Sequence, residues 1–419
     1  MKALARRLLR SKFFLFSADR MVLAISLITN SIILANAVDP ITAGVYFFST
    51  SLTQILVLPW IPALEMSWSG RSAGKEGDQP VPVFFSECVA FTIPSSIACL
   101  AILFFSNPRT DLFVLVSIPA VAATVVTTIH MLLVKMRYEE TGAFVTLSIS
   151  ANLAALMLKV GLAIFGADRS VLLPALFSDV VLVALVTLVV WLRRYRRAAI
   201  RFALPDPGMM RTLLWSALSL YAMLFMGRSL LVFARLTMED REYAATGFAF
   251  QLANAIMPLV SALMYTVRSH ARHASEDPVH TALLIKKSLA LAVVITAIYA
   301  AGVWLVGPLV VEFLMPGYAD VVVDLLKFMI PYIPAALLAG LAIAIAPRRP
   351  LSITFVMVLT GLAAGAFVLL PIGGPGPKLL LWSGTMLAGS IILIWTLRPL
   401  PAGQRKAAET GAPTQFEAP

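Results

Sequence analysis

The feature that most constrains this chain is a succession of apolar runs, each near the length of a bilayer-crossing helix, separated by short polar or Pro/Gly-rich connectors. About 20 mostly apolar residues, coiled as a helix, span the roughly 30 Å of a bilayer's hydrocarbon core. Reading between the punctuation gives twelve such runs, at 18–38, 42–66, 82–106, 112–135, 143–166, 170–192, 212–236, 244–267, 286–310, 321–346, 351–371 and 378–397. Only 13% of the residues are charged and 59% are hydrophobic. A soluble multidomain enzyme carries about 25% charged residues, so that class is excluded. The expectation is an all-α integral membrane protein of twelve spans.

Charge placement orients the spans. Twenty-four of the 33 lysines and arginines fall at the N-terminus, in alternate connectors and in the tail, including Arg193, Arg194, Arg196 and Arg197. The connectors on the other side hold only Arg109, Arg169, Arg241 and Lys378. By the positive-inside rule both termini are cytoplasmic. The net charge of +11 is therefore topological, and no nucleic-acid partner is expected, because no basic domain interleaved with aromatics exists. A cleaved signal peptide ending at Ala35-Asn36-Ala37 is the competing reading of the first run. Asp19 and Arg20 interrupt that run, and cleavage would leave an odd number of spans.

The chain repeats itself weakly at an offset near half its length. Gly44 and Gly247 enter the second and eighth spans in similar surroundings, Ile118-Pro119 matches Ile330-Pro331, and Leu153-Ala154-Ala155 matches Leu362-Ala363-Ala364. An even number of spans per half makes the halves parallel repeats, as in transporters that rock two bundles around a shared cavity. The expected division is an N-terminal six-helix lobe over 1–205, a C-terminal six-helix lobe over 206–400 and a disordered cytoplasmic tail over 401–419, with the basic connector 193–211 as hinge.

Three stretches carry a family resemblance: VDPITAGVYFFSTSLTQILVLPWIPAL, RLTMEDREYAATGFAFQLANAIMPLVSAL and GPLVVEFLMPGYADVVVDLLKFMIPYIPAALLAGL. They resemble bacterial polysaccharide and oligosaccharide-lipid flippases of the O-antigen-flippase type. That family belongs to a superfamily shared with multidrug/toxin exporters and the peptidoglycan-precursor flippase. The resemblance implies two lobes in a V around a central cavity, a place in the bacterial inner membrane, and polysaccharide assembly proteins as neighbours. Its cargo would be a polyprenyl-diphosphate-linked oligosaccharide, moved by alternating access from the cytoplasmic to the outer leaflet. A cation-coupled multidrug exporter of the same superfamily is the alternative.

Enzyme chemistry has little to stand on. The stretch Gly70-Arg71-Ser72-Ala73-Gly74-Lys75-Glu76 is one residue short of a phosphate loop and lacks the Ser/Thr that would hold magnesium. Cys88 and Cys99 form no metal-ligand spacing, and His130, His270, His273 and His280 form no HExxH. A membrane-embedded polysaccharide polymerase or ligase needs a sizeable outer loop for its acceptor, and every outward connector here is short. No cofactor, metal or catalytic residue is expected.

Charges inside the spans are the candidates for function, since each costs roughly 2.5–3.5 kcal/mol to insert and usually faces a bundle interior or a wet cavity. Arg20, Lys159, Arg228 and Arg235 would form a basic ladder suited to a diphosphate, whose oxygens guanidinium forks bind bidentately. Lys159 and Asp179 flank the tight turn near 168 and lie at similar depth. They are either an ion pair joining the fifth and sixth spans, or a cavity lysine beside an ion-coupling or proton site at Asp179. Asp324 and Lys327, three residues apart, read as a local pair, and Glu87 as interfacial. Arg228 has no acid three or four residues away on its helix.

Overall fold

A computed structural model of the chain describes residues 12–61, 63, 81–107, 109–133, 140–194, 207–255, 278–345 and 350–396, and no strand occurs among them. The first half comprises α1 (Lys12–Ala37), α2 (Pro40–Leu56), α3 (Val81–Ser106), a composite α4 (110–133), α5 (Thr141–Ile164), α6 (Arg169–Ala175) and α7 (Ser178–Arg194). The second comprises α8 (Pro207–Ala234), α9 (Asp240–Asn254), α10 (Pro278–Leu305), α11 (Gly307–Leu314), α12 (Ala319–Phe328), α13 (Tyr332–Ile345), α14 (Pro350–Leu369) and α15 (Pro375–Thr396). The expected lobe boundary at 205, the turn at 70–76, the tail 401–419 and the side chain of Glu87 lie outside the described residues.

Seven helices are individually long and apolar enough to cross a membrane. Three bent pairs are long and apolar enough only when taken together: α6 with α7 at 58°, α10 with α11 at 60°, and α12 with α13 at 50°. α2 and α9, with 17 and 15 described residues, fall short of that length; with them the helices are consistent with the expected twelve. The bends fall where backbone donors are missing. Pro174 closes α6, Pro331 precedes α13, and Pro308 sits in the first turn of α11, where its fixed φ starts a helix.

Two expectations change in detail. The sixth, ninth and tenth spans, read as single runs over 170–192, 286–310 and 321–346, are each broken into two helices. The outward connector read at 311–320 is largely helical, because α11 runs to Leu314 and only a 3-10 turn over Pro316–Tyr318 separates it from α12. α4 carries a π-helical turn over Phe113–Ser117 directly before Pro119, which cannot donate to an i−4 carbonyl. Its last turns, Thr127–Leu133, tighten to 3-10 geometry.

The helices sort into two lobes. In the first, α5 packs against α1 and α7, while α3 and α7 clasp the C-terminal end of α4. In the second, α14 packs on α8 and α15, α15 on α13, and α13 on α10. The lobes meet where α2 lies against α8 and α9, with α1 also touching α9. These two hairpins, matched in the repeat, are the most enclosed elements. Thr42 to Thr53 of α2 and Tyr243 to Gln251 of α9 are buried throughout. The Phe47 ring of α2 lies over Gly247 of α9 and meets the Phe248 ring edge to face at 5.1 Å.

Candidate functional site

The deepest polar cluster of the first lobe is built on Lys159 and Asp179. Lys159 is fully buried on α5, and its Nζ forms an ion pair with Asp179 Oδ1 in the first turn of α7. Nζ also donates to Ser26 Oγ at 2.9 Å and to Asn30 Oδ1 at 3.0 Å, both on α1. Ser26 Oγ passes a hydrogen bond to Asp179 Oδ2 at 3.0 Å. Asn30 Nδ2 donates to Tyr46 Oη at 3.0 Å and to the Leu176 carbonyl at 3.1 Å, where the α6–α7 break leaves that oxygen free. Lys159 and Asp179 thus form an ion pair across α5 and α7, and the ammonium is hydrogen-bonded to Ser26 and Asn30 as well.

Arg228 on α8 is different. It is partly buried, its Nη1 is sealed from any surface without a hydrogen-bond partner, and no carboxylate lies within ion-pair distance among the described residues. Its guanidinium sits 5.1 Å from the centroid of the Phe250 ring on α9, a cation–π contact. Phe250 belongs to an aromatic cluster with Tyr332 and Trp382, held by Trp382 Nε1 donating to Ser229 Oγ at 2.9 Å and Tyr332 Oη donating to Asn254 Oδ1 at 2.8 Å. Tyr46, across the seam on α2, lies within electrostatic reach of both Asp179 and Arg228.

The other members of the expected ladder stand apart. Arg235, just past the C-terminal end of α8, pairs with Asp240 Oδ1 at 2.7 Å and lies over the Tyr243 ring. Arg20 is next to Asp19, at 3.9 Å, with about a third of its side chain exposed. The Asp324–Lys327 pair forms as read, at 2.7 Å, and Lys327 also lies over the Trp304 ring. The structure thus brings Lys159 and Asp179 together, ties Arg235 to the α8–α9 turn, and leaves Arg228 as the deep cation with no acid partner among the described residues.

Ser26, Tyr46, Phe250 and Tyr332 are absent from the sequence expectations. Serines and aromatics are common in any apolar helix, and only the rotation of α1, α2, α9 and α13 about their axes turns these four inward. Tyr46 had the one usable signal, its place in the hairpin whose counterpart recurs in the second half.

This arrangement is similar to that of solved two-lobed membrane proteins. Among solved structures, the lipid II flippase MurJ in an inward closed conformation superposes with a TM-score of 0.67 at 10% identity, covering 93% of this chain and 88% of that one. The inward-facing conformation of a multidrug resistance MATE family transporter of the MOP superfamily gives 0.61 at 12% identity, covering 96% and 100%. The eukaryotic MATE transporter AtDTX14 gives 0.62 at 14%, covering 95% and 98%. No protein-family model and no curated protein matches the chain.

Proposed function

We propose that the chain is a flippase-type exporter of the MATE and lipid-flippase superfamily that moves an anionic, polyprenyl-diphosphate-linked oligosaccharide across the bacterial inner membrane by alternating access. Both termini lie in the cytoplasm in this reading, and the division into lobes falls in the basic connector near 205. The observation that carries it is Arg228: a guanidinium deep at the lobe seam with no acid to neutralise it among the described residues. A buried cation without a partner is costly, and an anionic cargo is the counter-charge that relieves the cost during transit. Arg228 takes the diphosphate through its planar fork. Lys159, neutralised by Asp179, and Arg235, neutralised by Asp240, serve architecture rather than cargo in this reading. Arg20 meets the cargo at the cytoplasmic mouth.

Reconstitution in proteoliposomes tests it, following transfer of a short-chain polyprenyl-diphosphate sugar between leaflets. Wild type moves the lipid, Arg228→Ala does not although it inserts and accumulates normally, and Arg228→Lys retains part of the rate because the charge survives without the fork. Normal transfer by Arg228→Ala overturns the role of this residue. The multidrug reading draws on the same fold and on the Phe250–Tyr332–Trp382 cluster, whose rings suit an organic cation. It predicts efflux of a cationic dye, unaffected or raised by Arg228→Ala.

A further inference from the structure

We infer that the first lobe carries a permanent counter-cation at one point: the Lys159 ammonium occupies an oxygen cage that would otherwise hold an exchangeable cation, so this cage binds and releases neither a metal ion nor a proton during the transport cycle. The cage has three oxygens of three chemical types, Asp179 Oδ1, Ser26 Oγ and Asn30 Oδ1, drawn from α1 and α7. They converge on a point closed off from solvent, since Lys159 is 0%, Ser26 0%, Asn30 2% and Asp179 4% exposed. A carboxylate with hydroxyl and amide oxygens is a hard-cation donor set. Here the position is filled from α5 by an ammonium that donates to Ser26 and Asn30 and forms an ion pair with Asp179.

The neighbouring polar groups are also committed. Ser26 donates to Asp179 Oδ2, and Asn30 spends its amide protons on Tyr46 and the Leu176 carbonyl. A cation entering this cage must first displace a covalently tethered one. The tether also gives the cage a mechanical role, because α1, α5 and α7 are fastened at one point and move as one body. This inference concerns the lobe's ion economy and stands independently of the cargo assigned to Arg228.

The test uses the purified full-length protein and its thermal midpoint in buffers that differ only in the cation. Wild type is expected to show no Tm difference between sodium, propylammonium and N-methylglucamine that Asp179→Asn removes, and to bind no radiolabelled sodium that Asp179→Asn abolishes. Lys159→Ala removes three carbons and the ammonium, which propylammonium restores. Its Tm is expected to rise by about 2–4 °C for each kcal/mol of binding in propylammonium or sodium over N-methylglucamine. Adding Asp179→Asn abolishes that response. Sodium binding by wild type that is lost in Asp179→Asn overturns the inference, as does a folded Lys159→Ala protein indifferent to every small cation. Should Lys159→Ala fail to accumulate, purification in propylammonium supplies the protein, and sodium binding by wild type compared with Asp179→Asn decides alone.

Discussion

At the scale of single residues, the same chemistry has opposite consequences depending on its partner. Lys159 and Arg228 are both basic groups inside spans, yet the first is saturated by Asp179, Ser26 and Asn30 and the second keeps an unpartnered Nη1. Removing one member of a buried pair leaves an uncompensated charge, so Lys159→Met should cost about 3–5 kcal/mol, whereas Lys159→Met with Asp179→Leu should recover most of it. Denaturant melts in detergent check this, and a double variant no more stable than the single one refutes the pairing as the source of stability. Asp39 gives a milder case at the mouth of α2. Its Oδ1 caps the helix at Thr42 N, 2.9 Å away, and Arg169 reaches Oδ2 at 2.7 Å. Partial burial raises its pKa, but the bonds from Thr42 and the Arg169 charge outweigh that and hold the carboxyl below its ordinary value. A depressed carboxyl stabilises the fold above the unfolded pKa and loses that contribution as the pH falls through the folded one. Asp39→Ala should therefore cost about 1 kcal/mol near neutrality and nothing further in strong acid, read as Tm against pH.

At the scale of helices, close approach rests on missing side chains. On α14, Gly361 and Gly365 receive the Phe225 and Phe233 rings of α8, and a Cβ at Gly365 would overlap Phe233. Small residues four apart are how membrane helices pack their backbones near one another. At the seam, a Cβ at Gly247 would overlap Phe47 of the other lobe. Gly365→Ala should destabilise the second lobe by about 1–3 kcal/mol through overpacking. Gly247→Ala should strain the seam by a similar amount, and paired with Phe47→Ala the loss should shrink. A Gly247→Ala protein with an unchanged melting midpoint would contradict the close packing of α2 on α9. The helix breaks at Pro174 and Pro331 were legible as prolines in apolar runs, but not as bends of 58° and 50°. A proline removes a donor, and the packing around it decides how far the helix turns.

At the scale of the whole molecule, the twelve spans and their orientation lead to a topology that labelling can read. Cysteines placed at 200 and at Thr237 should react only from the cytoplasmic and outer sides respectively. Native Cys88 and Cys99 are buried and should contribute little background. Reaction of both sites from one side would overturn the even span count. The lobes join through α2 and α9, which the repeat had matched, and Tyr46 on α2 is hydrogen-bonded to Asn30 of the Lys159 cluster. A helix rotation at that seam changes the surroundings of both clusters together.

Span number, span order and the depth of each charge were set by the sequence, because partition into a bilayer is a local property of about 20 consecutive residues. The nearly equal distance of Lys159 and Asp179 from the turn near 168 already put them at one level, and the i,i+3 spacing of Asp324 and Lys327 already made a pair. Tertiary structure alone decided which charges were neutralised. Pairing across helices depends on the rotation of each helix about its axis and on which neighbour it meets, and hydropathy carries neither. That is why four basic residues equivalent in sequence became a saturated ammonium at Lys159, a loop-paired guanidinium at Arg235, a residue beside Asp19 at Arg20, and an acid-free cation at the seam at Arg228.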